Sequence, residues 1–324
     1  MPTDLASAPQ PVSGPMPRVR PDLSGRAVLL ASDGSPAAAA AARVAFALAE
    51  RHHAVVHVVS VMDSRSAPMP PPLDLALAIA DASVGATVHA EQVEAVRDGL
   101  AAAIGRPVDW HIRYLLGTPA RMIVQESRRV RAALVIVGLR RHGRIERAMQ
   151  DETALDVMRH AACPVLGVAA NAIGLPARVL AAVDFSRSSL AAARASRTIM
   201  PESGTIVLAY TPPVTFDLPD DGEAVLHALG LTAGFAQCRA ELEGDGIRID
   251  QLVLHRPSAT PIASALLEYA DGARCDLIAA GSARRGRIDR WMLGSVSTDI
   301  VRDGRHSVLI VPPRRIKPPA PAAR

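Results

Sequence analysis

The chain has 324 residues, 49% of them hydrophobic and 21% charged, which is enough apolar sequence for two buried cores and too much for a mainly disordered protein. Its 36 basic and 32 acidic side chains leave a formal net charge of only +4, which gives no strong signal for a nucleic-acid partner. Three widely spaced cysteines and the lack of an uninterrupted apolar run of roughly 18 residues exclude a disulfide framework, a four-ligand zinc site and a membrane span, and we expect a cytoplasmic protein.

The predicted elements alternate between short apolar strands and longer amphipathic helices. Residues 1–24 and 313–324 differ from the rest by their many prolines, and we predict a disordered N-terminal extension and a flexible C-terminal tail. In chain order we predict strands at residues 27–31, 54–61, 108–116, 134–137, 165–168, 179–183, 205–210, 247–254, 276–280 and 308–311. Helices are predicted at residues 36–51, with Ser35 as N-cap, and at 84–104, 119–131, 151–160 and 294–303.

The sequence repeats itself once. A shift of 143 residues aligns 138–168 with 281–311 without a gap, and twelve of these 31 positions are identical. Further upstream the shift becomes 151 residues and places Asp33 on Asp184. A repeat of this length is a whole domain, so we predict two tandem α/β domains over residues 25–170 and 177–312, with the boundary near 171–176. Each domain is predicted to be a doubly wound, five-stranded parallel sheet that helices cover on both faces.

Two acidic residues lie where such a sheet binds its ligands, outside the carboxyl ends of the strands. Asp33 and Asp184 follow the first strand of each half, just before a helix. A carboxylate at this place can accept hydrogen bonds from an adenine or a ribose. It can equally form an Asx turn that caps the following helix, and both interpretations stay open here.

A second candidate is the helix that opens with Gly294 and Ser295. Its first backbone N–H groups, together with the hydroxyls of Ser295 and Ser297, would form an anion site for phosphates, although a glycine-serine helix start is often only a cap. The first half has Asp151 and Glu152 at the corresponding positions. Because their negative charge would repel a phosphate, the second half is the better candidate for a nucleotide site.

Other polar residues give weaker signals. One loop in each half is rich in arginines, which would meet either phosphates or solvent. They are Arg140, Arg141, Arg144 and Arg147 in the first half and Arg284, Arg285, Arg287 and Arg290 in the second. Aromatic residues make up only 3% of the chain, too few for a platform that stacks single-stranded nucleic acid. Histidines without catalytic or metal-ligating partners at a suitable spacing are His52, His53, His111 and His255. Known catalytic motifs are also lacking, so we expect a non-enzymatic protein, with weak hydrolysis of nucleotide phosphate left open.

Taken together, these motifs resemble the universal stress protein family in its tandem two-domain form, over residues 26–312. The marks are the Asp-x-Ser sequence after each first strand, the turn 117–120, the closing strand 162–166, and Gly281 followed by the segment 294–297. The resemblance implies an adenine-nucleotide alpha-hydrolase-like fold. It also implies that the fifth strands of the two halves pair across a pseudo-twofold axis, as in a dimer of single-domain members.

The ATP-binding members of that family carry Gly, two residues, Gly, nine residues, then Gly and Ser or Thr. In the second half, Gly281, Gly294 and Ser295 match this motif, while Arg284 replaces the middle glycine. In the first half, Gly138 is followed by Arg141, Asp151 and Glu152 at the remaining positions. The resemblance thus implies a stress-response protein that binds ATP or another adenine nucleotide chiefly in its second half.

The residue roles follow from the same resemblance. Asp184 would contact adenine or ribose with Ser186 beside it, and the phosphates would meet Gly281, Arg284, Gly294, Ser295 and Ser297; weaker candidates in the first half are Asp33, Gly117 and Gly138. Magnesium is expected only together with the nucleotide. The alternative is a nucleotide-independent scaffold for an unidentified protein partner, and assembly into a homodimer stays open.

Overall fold

The computed structural model describes residues 23–35, 38–63, 82–139, 151–212, 230–243, 246–257, 260–282 and 293–313, with the backbone alone at 82–88, 151 and 152. Strands in these ranges are β1 (Ala27–Ala31), β2 (Val55–Asp63), β3 (His111–Gly117), β4 (Leu134–Leu139), β5 (Val165–Ala169), β6 (Arg178–Ala182), β7 (Thr205–Tyr210), β8 (Arg248–Val253), β9 (Leu277–Gly281) and β10 (Ser307–Val311). Helices are α1 (Ala39–His52), α2 (Ala82–Ile104), α3 (Pro119–Arg129), α4 (Asp151–His160), α5 (Arg187–Ile199), α6 (Thr232–Leu242), α7 (Ile262–Gly272) and α8 (Ser295–Asp303). Most of the two predicted terminal extensions and the arginine-rich loops lie outside the described residues.

All ten strands form one sheet in the order β3-β2-β1-β4-β5-β10-β9-β6-β7-β8. Neighbouring strands within each half are parallel, and the order of the first half is repeated in the second. The halves join where β5 and β10 pair antiparallel, with Leu166 opposite Leu309. These two leucines are 143 residues apart, the same spacing as the sequence repeat, so equivalent residues face each other across a pseudo-twofold axis. The predicted doubly wound tandem and the pairing of the fifth strands are therefore confirmed.

The two faces of the sheet carry separate hydrophobic cores, each shared by both halves. Val28 and Leu30 point into one core, which α1, α2, α5 and α6 cover, whereas Leu29 points into the other, beneath α3, α4, α7 and α8. Successive residues of a strand face opposite sides of the sheet. Burial on both sides explains why these strands appear in the sequence as continuous apolar runs without alternation.

The start of α1 differs from the prediction. The helix begins at Ala39, its N-cap is Ala38, and no side chain caps it, so the prediction that Ser35 is the N-cap is wrong. The N–H of Ser35 donates to Asp33 Oδ1 at 3.0 Å, and its carbonyl accepts from the N–H of Ala38 at 2.9 Å, which completes a turn ahead of the helix. The equivalent residue of the second half, Ser186, does cap α5 by accepting from the N–H of Ser189.

A buried carboxylate joins α3 to the edge of the sheet. The side chain of Glu126 is only 3% exposed and accepts hydrogen bonds from Arg113 Nη1 at 2.6 Å and from Arg129 Nη2 at 2.6 Å. Burial alone would raise the pKa of Glu126, but hydrogen bonds and charges from Arg129 and Arg113 outweigh it and hold that pKa below its ordinary value. His57 and His111 lie beside this cluster, with ring centroids 5.9 Å apart.

Acid is expected to destabilise this part of the fold through His57. Burial, His111 and Arg129 lower the pKa of His57 below its ordinary 6.5, against the opposite pull of Glu126. The unfolded chain then binds the proton more readily, so the contribution of His57 to the free energy of unfolding should be constant above about pH 6.5 and fall below it. Urea unfolding between about pH 8 and pH 5 should show a smaller fall for His57→Asn than for the wild type.

The matched control is His53→Asn. His53 is exposed and has a φ of 50°, a left-handed conformation that asparagine also adopts. This variant should keep the wild-type pH dependence. An equal effect of the two substitutions would contradict the role given to His57.

Candidate functional site

The carboxyl end of β6 carries the first candidate, Asp184. Its Oδ1 accepts from the N–H of Ser186 at 3.0 Å, which is an Asx turn, and Asp33 makes the same 3.0 Å bond to Ser35 in the first half. Of the two interpretations of these residues, the turn is therefore observed in both halves. Asp184 is nevertheless exposed, and its Oδ2 makes no hydrogen bond with any residue that the structure describes. One carboxylate oxygen thus remains available to a ligand.

Ser186 has a clear structural task in this loop. Its Oγ accepts from the N–H of Ser189 at 3.2 Å and lies 3.0 Å from Ser188 Oγ. In return, Ser189 Oγ accepts from the N–H of Asp184 at 3.3 Å and donates to the carbonyl of Ser186 at 3.1 Å. These bonds fix the loop that presents the carboxylate of Asp184, so Ser186 holds this site in shape.

Gly281, the last residue of β9, lies against the same loop. A Cβ added to it would lie 2.3 Å from the carbonyl carbon of Ser188 and 2.6 Å from the backbone nitrogen of Ser189. No real side chain fits at such distances, so glycine is required here for β9 to pass the first turn of α5. The family resemblance implies only a phosphate-binding role for this glycine, and its packing role becomes visible only in the fold.

The start of α8 agrees with the prediction. Gly294 is the N-cap, with a φ of −61° and a ψ of 160°, and no side chain caps the helix. A Cβ on Gly294 would meet none of the described residues within 4 Å, so none of them covers the first turn at this point. Ser295 is exposed, whereas Ser297 is only 5% exposed. The first N–H groups of a helix have no partner within it, and here no described side chain caps them.

The corresponding region of the first half is described less fully. The helix α4 begins at Asp151 as predicted, but the side chains of Asp151 and Glu152 lie outside the described residues. Gly117 ends β3 with a φ of 150°, and Gly138 is the penultimate residue of β4. The structure therefore leaves the predicted repulsion of phosphate in the first half as a prediction.

An aromatic cluster beside Asp184 was missed in the sequence. Phe185 has a φ of 59°, stacks on Tyr210 at a centroid distance of 5.3 Å, and meets Phe235 edge-on at 5.1 Å. All three rings are buried, and burial followed by the charge of Asp184 raises the pKa of Tyr210. The first half has Gly34 in place of Phe185, and there α2 lies directly on the loop: a Cβ on Gly99 would be 2.1 Å from the carbonyl oxygen of Gly34.

Thr211, directly after β7, was also missed. Its hydroxyl is buried and has no hydrogen-bond partner among the described residues. A buried polar atom of this kind calls for a partner such as water or a ligand. Its position in the sequence could have indicated Thr211, because this residue follows β7, which is adjacent to the strand that leads to Asp184.

The remaining candidates are dispersed. Arg284 and the other loop arginines lie outside the described residues. His52 Nε2 lies 2.8 Å from the carbonyl oxygen of Thr198 and so joins α1 to α5, while His255 is exposed after β8. Within the described ranges, no group of three or more His, Cys, Asp or Glu side chains is arranged to hold a metal ion. None of the helices in those ranges is both long and apolar enough to cross a bilayer.

Comparison with known proteins gives one consistent result. The model of the universal stress protein family matches the chain twice, at residues 25–169 and 177–312. A universal stress protein from Archaeoglobus fulgidus DSM 4304 superposes with a TM-score of 0.60 and 16% identity over 90% of this chain and 98% of that one. A functionally unknown protein from Pseudomonas aeruginosa PAO1 superposes with a TM-score of 0.52 and 13% identity over 89% of this chain and 93% of that one. No curated protein sequence is significantly similar. At these identities the solved structures show a common fold.

Proposed function

Because this chain belongs to the universal stress protein family, with two of its domains in tandem, we propose that it is a stress-response protein that binds ATP or another adenine nucleotide in its second half and acts without catalysing a reaction. The observation that carries this proposal is the start of α8, which no described side chain caps and no described residue covers at Gly294. Free N–H groups and the positive end of a helix dipole favour a phosphate.

The topology supports the same site. β6 lies between β9 and β7. The chain continues from β6 to β7 and β8 on one side and then to β9 on the other side, so the strand order reverses between β6 and β9. Open α/β sheets bind their ligands at the carboxyl ends of the strands at such a point. Asp184 and Gly281 lie there, at the ends of the loop and strand that meet around Ser188.

The side chains divide into those that touch the ligand and those that hold the site. We assign the free oxygen of Asp184 to adenine or ribose, and the hydroxyl of Ser295 with the first N–H groups of α8 to phosphates. Ser297 is buried and would contribute its backbone N–H, while Ser186 fixes the Asp184 loop. Arg284, at the middle position of the motif, would add charge next to the phosphates.

A single charge placed at the start of α8 tests this assignment. Ser295→Asp should weaken ATP binding at least about tenfold in calorimetric titration, because a carboxylate would occupy the helix end and repel the phosphates. Ser295→Asn introduces a side chain of nearly the same shape as aspartate but without its charge, and should keep most of the affinity. Equal affinity of the two variants, in protein shown by circular dichroism to be folded, would place the phosphates elsewhere.

A nucleotide-independent scaffold is the second candidate, and the aromatic cluster favours it. Phe185, which follows β6, and Tyr210, which ends β7, stack as buried rings at the carboxyl ends of these strands, and α2 lies over Gly34 in the first half. Mass spectrometry of natively purified protein distinguishes the candidates: retained ATP would exclude the scaffold. Retained ADP would lead to a phosphate-release assay, in which measurable turnover would contradict the non-enzymatic role.

A further inference from the structure

A cleft of about 460 Å³ lies where the two halves join, away from the nucleotide site. One wall is the linker 171–176 with Val168 of β5 and Val44 of α1, and the other is formed by residues 270–271, 274–277 and 305–307. These second-half residues precede or begin β9 and β10, so the cleft lies at the amino ends of strands whose carboxyl ends carry the proposed nucleotide site. Its volume is in the range of sites for small organic molecules.

The acidic groups of this cleft are already engaged. Asp271 pairs with Arg305 and, at 3.2 Å, with His306 Nε2. The Oδ2 of Asp276 accepts from the N–H groups of Ala177 and Arg178 at 2.9 Å each. Their negative charges are thus partly offset by donors of the protein itself.

Arg274 is the cation that remains uncommitted. Its side chain is exposed, lines the cleft, and makes no hydrogen bond or ion pair with any residue in the described ranges. Burial lowers the pKa of His306, against the pull of Asp271, so this ring stays neutral near pH 7 and adds no charge. The linker that lines the cleft also carries the N–H groups of Ile173 and Gly174, which have no acceptor among the described residues.

The polar character of the cleft is not a requirement of the fold. The shift of 143 residues provides an internal comparison, in which Asp276 corresponds to Ala133 and His306 to Cys163. The first half therefore builds the same turns and strand starts without these groups. His306 is moreover only 8% exposed, with its Nδ1 unpartnered among the described residues, an arrangement that costs stability. A buried histidine that the first half does without, and whose unpartnered nitrogen costs stability, points to a function.

We propose that this cleft binds a small organic anion, a carboxylate or a phosphate monoester with an apolar body, and that Arg274 is its anchor. A guanidinium matches the planar carboxylate or the phosphate oxygens with paired hydrogen bonds. The apolar part lies against Ala172, Ile173 and Leu175 of the linker, whose side chains stay accessible, while the buried Val44 and Val168 of the first half close the cleft beneath them. The ligand touches the linker and both halves, so its binding joins them at a place separate from the nucleotide.

The probes for this test are phenyl phosphate and benzoate, with phenol as their neutral counterpart. In calorimetric titration of the full chain, at least one of the two anions should bind at about 10 mM or below, and phenol should not. Which anion binds more tightly distinguishes a phosphate site from a carboxylate site. Absence of binding by both anions, or equal binding of phenol, would overturn the proposal.

Substitution of Arg274 has an internal control in the same fold. Arg274 has a φ of 52°, and Arg131, its equivalent in the first half, has a φ of 51°. Asparagine accepts this left-handed backbone, so Arg274→Asn and Arg131→Asn should both fold. Arg274→Asn should weaken anion binding at least about tenfold, Arg131→Asn should leave it unchanged, and Arg274→Lys should retain part of it. Unchanged binding in Arg274→Asn, or an equal loss in Arg131→Asn, would refute the role of Arg274.

Discussion

Replacing Arg113 and Arg129 together by glutamine should measurably lower the free energy of unfolding at neutral pH, because it removes both counter-charges of a buried carboxylate. The carboxylate of Glu126 is 3% exposed and depends on these two guanidinium groups for its hydrogen bonds. Without them a charge stays buried and uncompensated. Urea denaturation at pH 7, with the m-value compared to the wild type, measures the loss.

The wild type and the double variant should also differ in how the free energy of unfolding changes with pH. In the wild type, Arg129 and Arg113 hold the pKa of Glu126 low against burial, so its contribution to stability is present above the ordinary carboxylate pKa and is lost as the pH falls. In the double variant only burial remains, which raises this pKa, and protonation should restore part of the stability as the pH falls towards about 5. Adding Glu126→Gln should also rescue the double variant at pH 7. A double variant as stable as the wild type would show that Glu126 needs no counter-charge.

The second large effect is expected from Gly281→Ala, which should cost about 3 kcal/mol. Its new Cβ would lie 2.3 Å from the carbonyl carbon and 2.5 Å from the carbonyl oxygen of Ser188, in the first turn of α5. Backbone atoms cannot rotate away as a side chain can, so β9 and α5 must separate. Thermal and urea unfolding measure the cost, and ATP binding should weaken as well, because the separation moves Asp184.

Gly272→Ala is the matched control for this substitution. Gly272 ends α7, and a Cβ added there would meet no atom of the described part of the chain within 4 Å. Alanine has the higher helix propensity, so this variant should be neutral or more stable by up to about 1 kcal/mol. If both glycine variants lost the same stability, the contact with Ser188 would not be the cause.

The two halves have the same topology and differ at their loops. In the first half, Gly34 allows α2 to lie directly on the backbone of the first loop. In the second half, the ring of Phe185 lies between that loop and α6, and Gly234 of α6 leaves space for the ring. At the last helix, Asp151 stands where the second half has the glycine cap Gly294. One sheet thus carries two different carboxyl edges, so a shared fold does not imply a shared ligand.

The sequence alone determined the elements and their repetition. Strands such as β1 and β7 and the helix α4 have the predicted bounds, because local runs of apolar residues and helix-start residues are enough to indicate them. The third strand begins at His111 instead of residue 108, because a propensity pattern does not show where hydrogen bonding to β2 starts. The repeat then implied two sheets of the same design.

Only the tertiary structure decided what the individual polar residues and glycines do. Ser35 and Ser186 have the same local sequence signal, and only Ser186 caps its helix. Glu126 looks like a surface residue of an amphipathic helix and is buried between two arginines, one of them on β3. Gly281 matches a phosphate motif and is also required by the approach of α5. The reason is common to all: hydrophobic periodicity is a property of neighbours in the chain, whereas caps, ion clusters and close approaches depend on residues that meet only after the sheet has formed.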